Sequence, residues 1–151
     1  MVKSYKKILL IPLIILSCML FFCHHFLFSP KIVAYIKLSK HLLTHVNDSL
    51  KVYIYLNNPT DKPIIIKTIH LQSYANQKLF LNVTIDKKVA KKYRILWNEI
   101  VPPFKKKLIL THNWTYIANE PIGDYTIKYT IITENGLKVF AESKFSVNLT
   151  H

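Results

Sequence analysis

The sequence is short of the residues that most often carry chemistry or cross-links. Its 151 residues include two glycines, Gly123 and Gly136, a single arginine, Arg94, and 8 acidic residues. So few glycines exclude collagen-like and glycine-rich linker classes. They also weigh against loops that bring backbone amides close around a phosphate. One arginine all but removes the planar, bidentate fork that base-specific readers favour, so sequence-specific nucleic-acid binding is not expected. Scarce, scattered carboxylates argue against paired acid–base catalysis and against a glycosidase-type pair. Both cysteines, Cys18 and Cys23, fall within the first 30 residues. The rest therefore has no disulfide framework and no thiolate metal site.

Apolar and basic residues are what the chain has in excess. Half of it is hydrophobic, which argues against disorder, and 21 Lys+Arg give a formal net charge of +13. Such a charge attracts anionic lipid, nucleic acid or a phosphate-rich wall polymer, or simply solvates a lysine-biased surface. At the N-terminus Lys3, Lys6 and Lys7 precede an apolar run from Ile8 to Phe28, interrupted by Pro12, Ser17, His24 and His25. The run just reaches the roughly 20 residues that span a bilayer. It exceeds the roughly 7–15 apolar residues of a cleavable signal, and no small-x-small site follows it. Residues 1–30 are therefore read as an uncleaved signal-anchor, one transmembrane helix. The lysine cap keeps that end in the cytoplasm and places residues 31–151 on the extracytoplasmic side. Alternatively, Ile15-Leu16-Ser17-Cys18 resembles a lipobox, in which Cys18 is lipidated. Leu16 and the apolar Met19-Leu20-Phe21-Phe22 fit it poorly. Without a third ligand, His24 and His25 read as interfacial padding.

Beyond residue 30 the pattern alternates. Leu50, Val52, Ile54 and Leu56 share one face, with Lys51, Tyr53 and Tyr55 on the other. Leu79–Leu81–Val83–Ile85, Tyr125–Ile127–Tyr129–Ile131 and Leu137–Val139–Ala141, then Phe145 and Val147, repeat it. Period-two patterning rich in β-branched and aromatic residues predicts half-buried antiparallel strands. Weaker strands are predicted at 32–38, 63–71, 93–97 and 105–114, and 39–46 is left open between a helical turn and a loop. Turns are expected at Asn57-Asn58-Pro59-Thr60-Asp61, Pro102-Pro103 and Pro121-Ile122-Gly123-Asp124. Glu134-Asn135-Gly136 reads as a tight hairpin with a primed turn. Seven or eight strands in this length predict an all-β, immunoglobulin-like antiparallel sandwich over 31–151, preceded by the N-terminal transmembrane helix. Tyr125, entering the penultimate strand behind Gly123, is a candidate for the corner tyrosine of such sandwiches, or an ordinary inward tyrosine.

The segment Lys51-Val52-Tyr53-Ile54-Tyr55-Leu56-Asn57-Asn58-Pro59-Thr60-Asp61 resembles the early strand and turn of bacterial immunoglobulin-like modules. It is similar in particular to the domain of the Bacillus intracellular proteinase inhibitor family. The order continues through Val101-Pro102-Pro103, Trp114 and Gly123-Asp124-Tyr125, so the resemblance spans about 50–147. It implies a β-sandwich and, by family, protease inhibition through an inserted loop. The family's tryptophan-rich central segment is absent here, with Trp97 alone nearby, and its intracellular setting conflicts with an anchor. Its inhibitory activity is therefore not carried over.

No constellation for catalysis stands out. No serine lies in a G-x-S-x-G context beside the five histidines His41, His45, His70, His112 and His151. His41 and His45 have the spacing of two ligands on one helix face, but no glutamate follows His41 and the helix itself is in doubt. His112 reads as an ordinary residue at a strand end. Four sequons, at Asn47, Asn82, Asn113 and Asn148, would be glycan sites in a eukaryotic or viral secretory protein and mean nothing in a bacterium. The resemblance favours the bacterial setting. Lys87, Lys88, Lys91 and Lys92 with Lys105, Lys106 and Lys107 form a candidate polybasic patch for anionic lipid or wall polymer, or else solubilise strand ends. The expectation is a non-enzymatic, membrane-anchored interaction module without metal or cofactor. Its partner is another envelope protein or an anionic wall polymer. A protease-inhibitor-like domain and a small cell-surface enzyme are the alternatives.

Overall fold

A strand with period-two patterning has one apolar face, and packing it against a second sheet removes that face from water. The computed structural model, which describes residues 31–149, shows this arrangement. Seven strands have between 6 and 12 residues: β1 Val33–Leu38, β3 Ser49–Asn58, β4 Ile64–Ala75, β5 Lys78–Ile85, β8 Lys105–Thr115, β9 Gly123–Thr133 and β10 Lys138–Val147. Three more, β2 Leu42–Leu43, β6 Leu96–Trp97 and β7 Ile100–Val101, have two residues each, and one short helix, α1, covers Lys87–Lys92. One sheet has the order β1-β3-β8-β6 and the other β2-β10-β9-β4-β5, with β7 paired to the start of β4. The pairings are antiparallel except β2 with β10, which is parallel. Residues 32–149 belong to one compact unit.

The alternating sets expected to be buried supply much of the core. Val52, Ile54 and Leu56 of β3 face Ile69, Ile127 and Ile131 from the other sheet, all at most 1 % exposed. An aromatic cluster closes one end of the core. Trp114 of β8 meets Tyr125 and Phe145 of the opposite sheet at ring separations of 5.0 and 4.8 Å, and these two stack at 5.1 Å. Edge-on and offset contacts of this kind add to the area each ring buries. At the opposite end Asn58 is fully buried. Its amide donates to the carbonyls of Lys62, Val101 and Pro102, while its carbonyl accepts from the backbone and hydroxyl of Thr60. A buried amide needs such partners, and here they tie the 57–62 turn to β7.

Four local expectations are corrected. Residues 93–97 are not one strand: Tyr93 ends α1 and pairing begins only at Leu96. Segment 39–46 is neither helix nor plain loop, since Leu42 and Leu43 add to β10. The β9–β10 strands pair directly, but not through a primed two-residue turn. Asn135 keeps an ordinary negative φ, Gly136 alone has φ 81, and the Gly136 amide donates to Thr133 while Thr133 donates to Leu137. That is a three-residue loop with glycine at the left-handed position. Finally, Leu79 and Leu137 are exposed, because β5 is an edge strand and Leu137 precedes β10.

Candidate functional site

Alternation leaves Tyr35 and Lys37 of β1, and Lys51, Tyr53 and Tyr55 of β3, on the outer face of the four-stranded sheet. Register places Tyr35 opposite Tyr55, Lys37 opposite Tyr53, and Asn57 opposite Lys106. The Tyr35 and Tyr55 rings stack at 5.1 Å and 7°. Lys106 lies across them, its Nζ 4.3 Å from the Tyr35 centroid and 5.2 Å from that of Tyr55. The four strands of this sheet contain Lys37, Lys51, Lys105, Lys106 and Lys107 and no aspartate or glutamate. The other sheet is mixed in sign: Lys128 pairs with Glu142 at 3.2 Å, and Asp124 accepts from Ser146 at 2.7 Å. An aromatic, acid-free lysine face attracts anions and offers rings for stacking or cation–π contact.

The seven lysines singled out from the sequence stand in two groups. Lys87, Lys88, Lys91 and Lys92 ride on α1, which Asp86 starts by accepting from the Val89 amide at 2.7 Å. The helix stops in a Schellman arrangement, with the Ile95 amide on the Ala90 carbonyl and the Arg94 amide on that of Lys91. Lys105, Lys106 and Lys107 begin β8. The 99–100 segment lies between the groups: Lys87 pairs with Glu99 at 2.7 Å and Lys107 donates to the Ile100 carbonyl at 3.0 Å. Phe104, just before the second group, is 70 % exposed and held at φ 52.

Tyr125 is fully buried, and its hydroxyl donates to the Pro121 carbonyl at 2.6 Å, the geometry of a tyrosine corner. Burial, with the charge of Glu120 and with Tyr116 beside it, pushes the phenol up to about 12. Gly123 has φ 124, and a Cβ there would lie 2.3 Å from Asn76 Oδ1. Asn76 explains the fit: its Nδ2 donates to Ile122 and its Oδ1 accepts from the Asp124 amide. The sequence does not mark Asn76, because an asparagine 46 residues away from its partner carries no local signal.

The histidines do not converge. His41 bonds to the Lys144 carbonyl and His45 to the Thr44 hydroxyl, and no helix joins them. His112 is not the ordinary strand-end residue expected. It faces inward, donating through Nδ1 to the Asn113 carbonyl and accepting the Tyr129 hydroxyl proton at Nε2. Burial lowers its pKa, and burial raises that of Tyr129, so both are neutral partners joining the two sheets. Among the described residues no three His, Cys, Asp or Glu side chains group as metal ligands. The four sequon asparagines are exposed. Cys18 and the N-terminal apolar run lie outside the described residues, among which no helix is long and apolar enough to cross a membrane.

No family model matches the sequence, and no curated protein matches it. Solved structures do match the fold. The CARDB domain of a Pyrococcus furiosus protein, solved with di-metal ions, is 20% identical with a TM-score of 0.51, over 80% of this chain and 96% of that one. Sporulation control protein Spo0M of Bacillus subtilis is 11% identical with a TM-score of 0.55, over 81% of this chain and 51% of that one. Red sea bream transglutaminase is 13% identical with a TM-score of 0.54, this chain matching 15% of it. At these identities the likeness concerns architecture alone, and with the topology above it makes residues 32–149 an immunoglobulin-like β-sandwich.

Proposed function

We propose that this chain is a membrane-anchored, extracytoplasmic interaction module without catalysis. Its binding face is the outer side of the four-stranded sheet, and its partner is an anionic, phosphate-rich polymer of the cell envelope. One observation carries the reading: Tyr35, Tyr55 and Lys106 form a stacked, cationic cluster on a sheet that has no acid of its own. Support for the anchor is the lysine-capped apolar run of residues 1–30.

The test is binding of inorganic polyphosphate by the full chain held in phosphatidylcholine nanodiscs. Reversing Lys37 and Lys106 to glutamate is expected to weaken binding by about tenfold at moderate salt. Reversing Lys67 and Lys138, exposed on the other sheet, changes net charge equally and is expected to leave affinity within about twofold. Equal losses from both pairs would mean that total charge, not this face, attracts the polymer. Protease accessibility in intact cells, with the mass of the N-terminus, tests the anchor separately. A soluble product lacking residues 1–30 and lipid would end that part of the reading.

A further inference from the structure

Pairing between β6 and β8 stops at Thr111, so the edge of β8 from His112 onward lies open on that side. A crevice of 810 Å³ follows this opening. Leu71, Val83 and Ile85 line it from the larger sheet, and Val89, Ile95 and Leu96 from α1 and the residues behind it. Its volume falls within the roughly 300–1,000 Å³ typical of small-molecule sites, and its lining divides between these aliphatic side chains, two tyrosines, and the polar Lys51, Arg94, Thr111, His112 and Asn113. The charged residues of the lining are Arg94 and Lys51, with no aspartate or glutamate. In the same wall Thr111 Oγ1 is buried with no hydrogen-bond partner among the described residues.

Arg94 brings a guanidinium to this crevice. It occupies the left-handed position that ends α1, at φ 53, where glycine sits without strain and any other residue is disfavoured. It is the only arginine of the chain. Its guanidinium takes part in none of the hydrogen bonds or ion pairs among the described residues. Gln77 and Phe104 also have positive φ, so the backbone angle alone singles out nothing; what counts is an exposed guanidinium at a partly apolar crevice. Guanidinium binds a carboxylate through two parallel hydrogen bonds, a geometry lysine does not offer.

We propose that this crevice binds a long-chain monocarboxylate such as a fatty acid. Its hydrocarbon chain lies along Leu71, Val83 and Ile85, and its carboxylate sits on Arg94. The crevice shares Lys51 and Tyr53 with the outer lysine face, but its test reads Arg94 and the difference between acid and ester, so it and the polyphosphate reading can fail separately.

Dansyl-undecanoic acid is the probe, titrated into the full chain in phosphatidylcholine nanodiscs and excited through tryptophan, with Trp97 next to Leu96 as the near donor. Energy transfer is expected to saturate at one probe per chain. Arg94→Gln is expected to weaken the acid by at least about tenfold, as for loss of a charge-assisted pair. The methyl ester of the probe, lacking the charge, should bind weakly to the wild type and no differently to the variant. Arg94→Gly separates binding from folding: it relieves the left-handed strain and raises the unfolding temperature, yet should lose the acid as Arg94→Gln does. Transfer that grows without saturation, equal affinity for acid and ester, or wild-type affinity in both variants would overturn the assignment.

Discussion

His112 and Tyr129 come from opposite sheets and share one hydrogen bond inside the sandwich, with the cations of Lys51 and Arg94 on the crevice beside them. Burial holds the His112 pKa below its ordinary value, so the folded protein resists a proton that the unfolded chain accepts near pH 6.5. The sign follows directly. Stability is at its full value above about pH 6.5, falls as pH drops through that value, and levels off below the folded pKa. Urea midpoints at pH 7.5 and 5.5 should therefore differ, the lower pH being less stable, and His112→Gln should flatten the difference. Asp48, held low first by its hydrogen bond to Lys40 and then by the Thr44 amide, responds only in the acid range, outside this window. The pattern of residues places His112 on a strand but says nothing of Tyr129, 17 positions on, because the contact exists only once two sheets are stacked.

Among the elements, the two glycines make a controlled comparison. Both have positive φ, but a Cβ at Gly136 meets nothing within 4 Å, whereas one at Gly123 collides with Asn76. Gly136→Ala should thus cost only the backbone term, about 1 kcal/mol. Gly123→Ala adds the loss of both Asn76 hydrogen bonds and should cost on the order of 2–4 kcal/mol, read from denaturant midpoints. That a turn lies at each glycine was legible, since glycine is the residue that tolerates left-handed backbone. Which turn forms at 134–136 was not, because Asn-Gly suits both a primed turn and the second half of a three-residue loop. Helix α1 carries a weak sequence signal for a different reason. Asp86 before Lys-Lys-Val-Ala-Lys-Lys is a fair cap and a helix-forming run. Only Ala90 of it is buried, so no apolar stripe marks it. The polar bridge at Asn58 was equally hidden, since its acceptors at Val101 and Pro102 lie more than forty residues downstream.

For the whole molecule, charge and topology set the behaviour. With 21 basic against 8 acidic residues, and three ion pairs among the described residues, repulsion outweighs attraction. Salt in the range of about 20–200 mM should raise the thermal midpoint by a few degrees, because screening relieves more than it breaks. A midpoint that falls with salt would mean that the ion pairs matter more than the net charge. By itself the order of residues determined the all-β class, the positions of most long strands and which side of each is buried, because alternation and turn chemistry act over a few residues. Only the tertiary structure decided which strands are neighbours. That pairing gathered Tyr35, Tyr55 and Lys106 on one acid-free face, joined His112 to Tyr129, and left an opening beside Arg94. Such groupings depend on contacts between distant segments, and a one-dimensional pattern holds no record of which strand lies beside which.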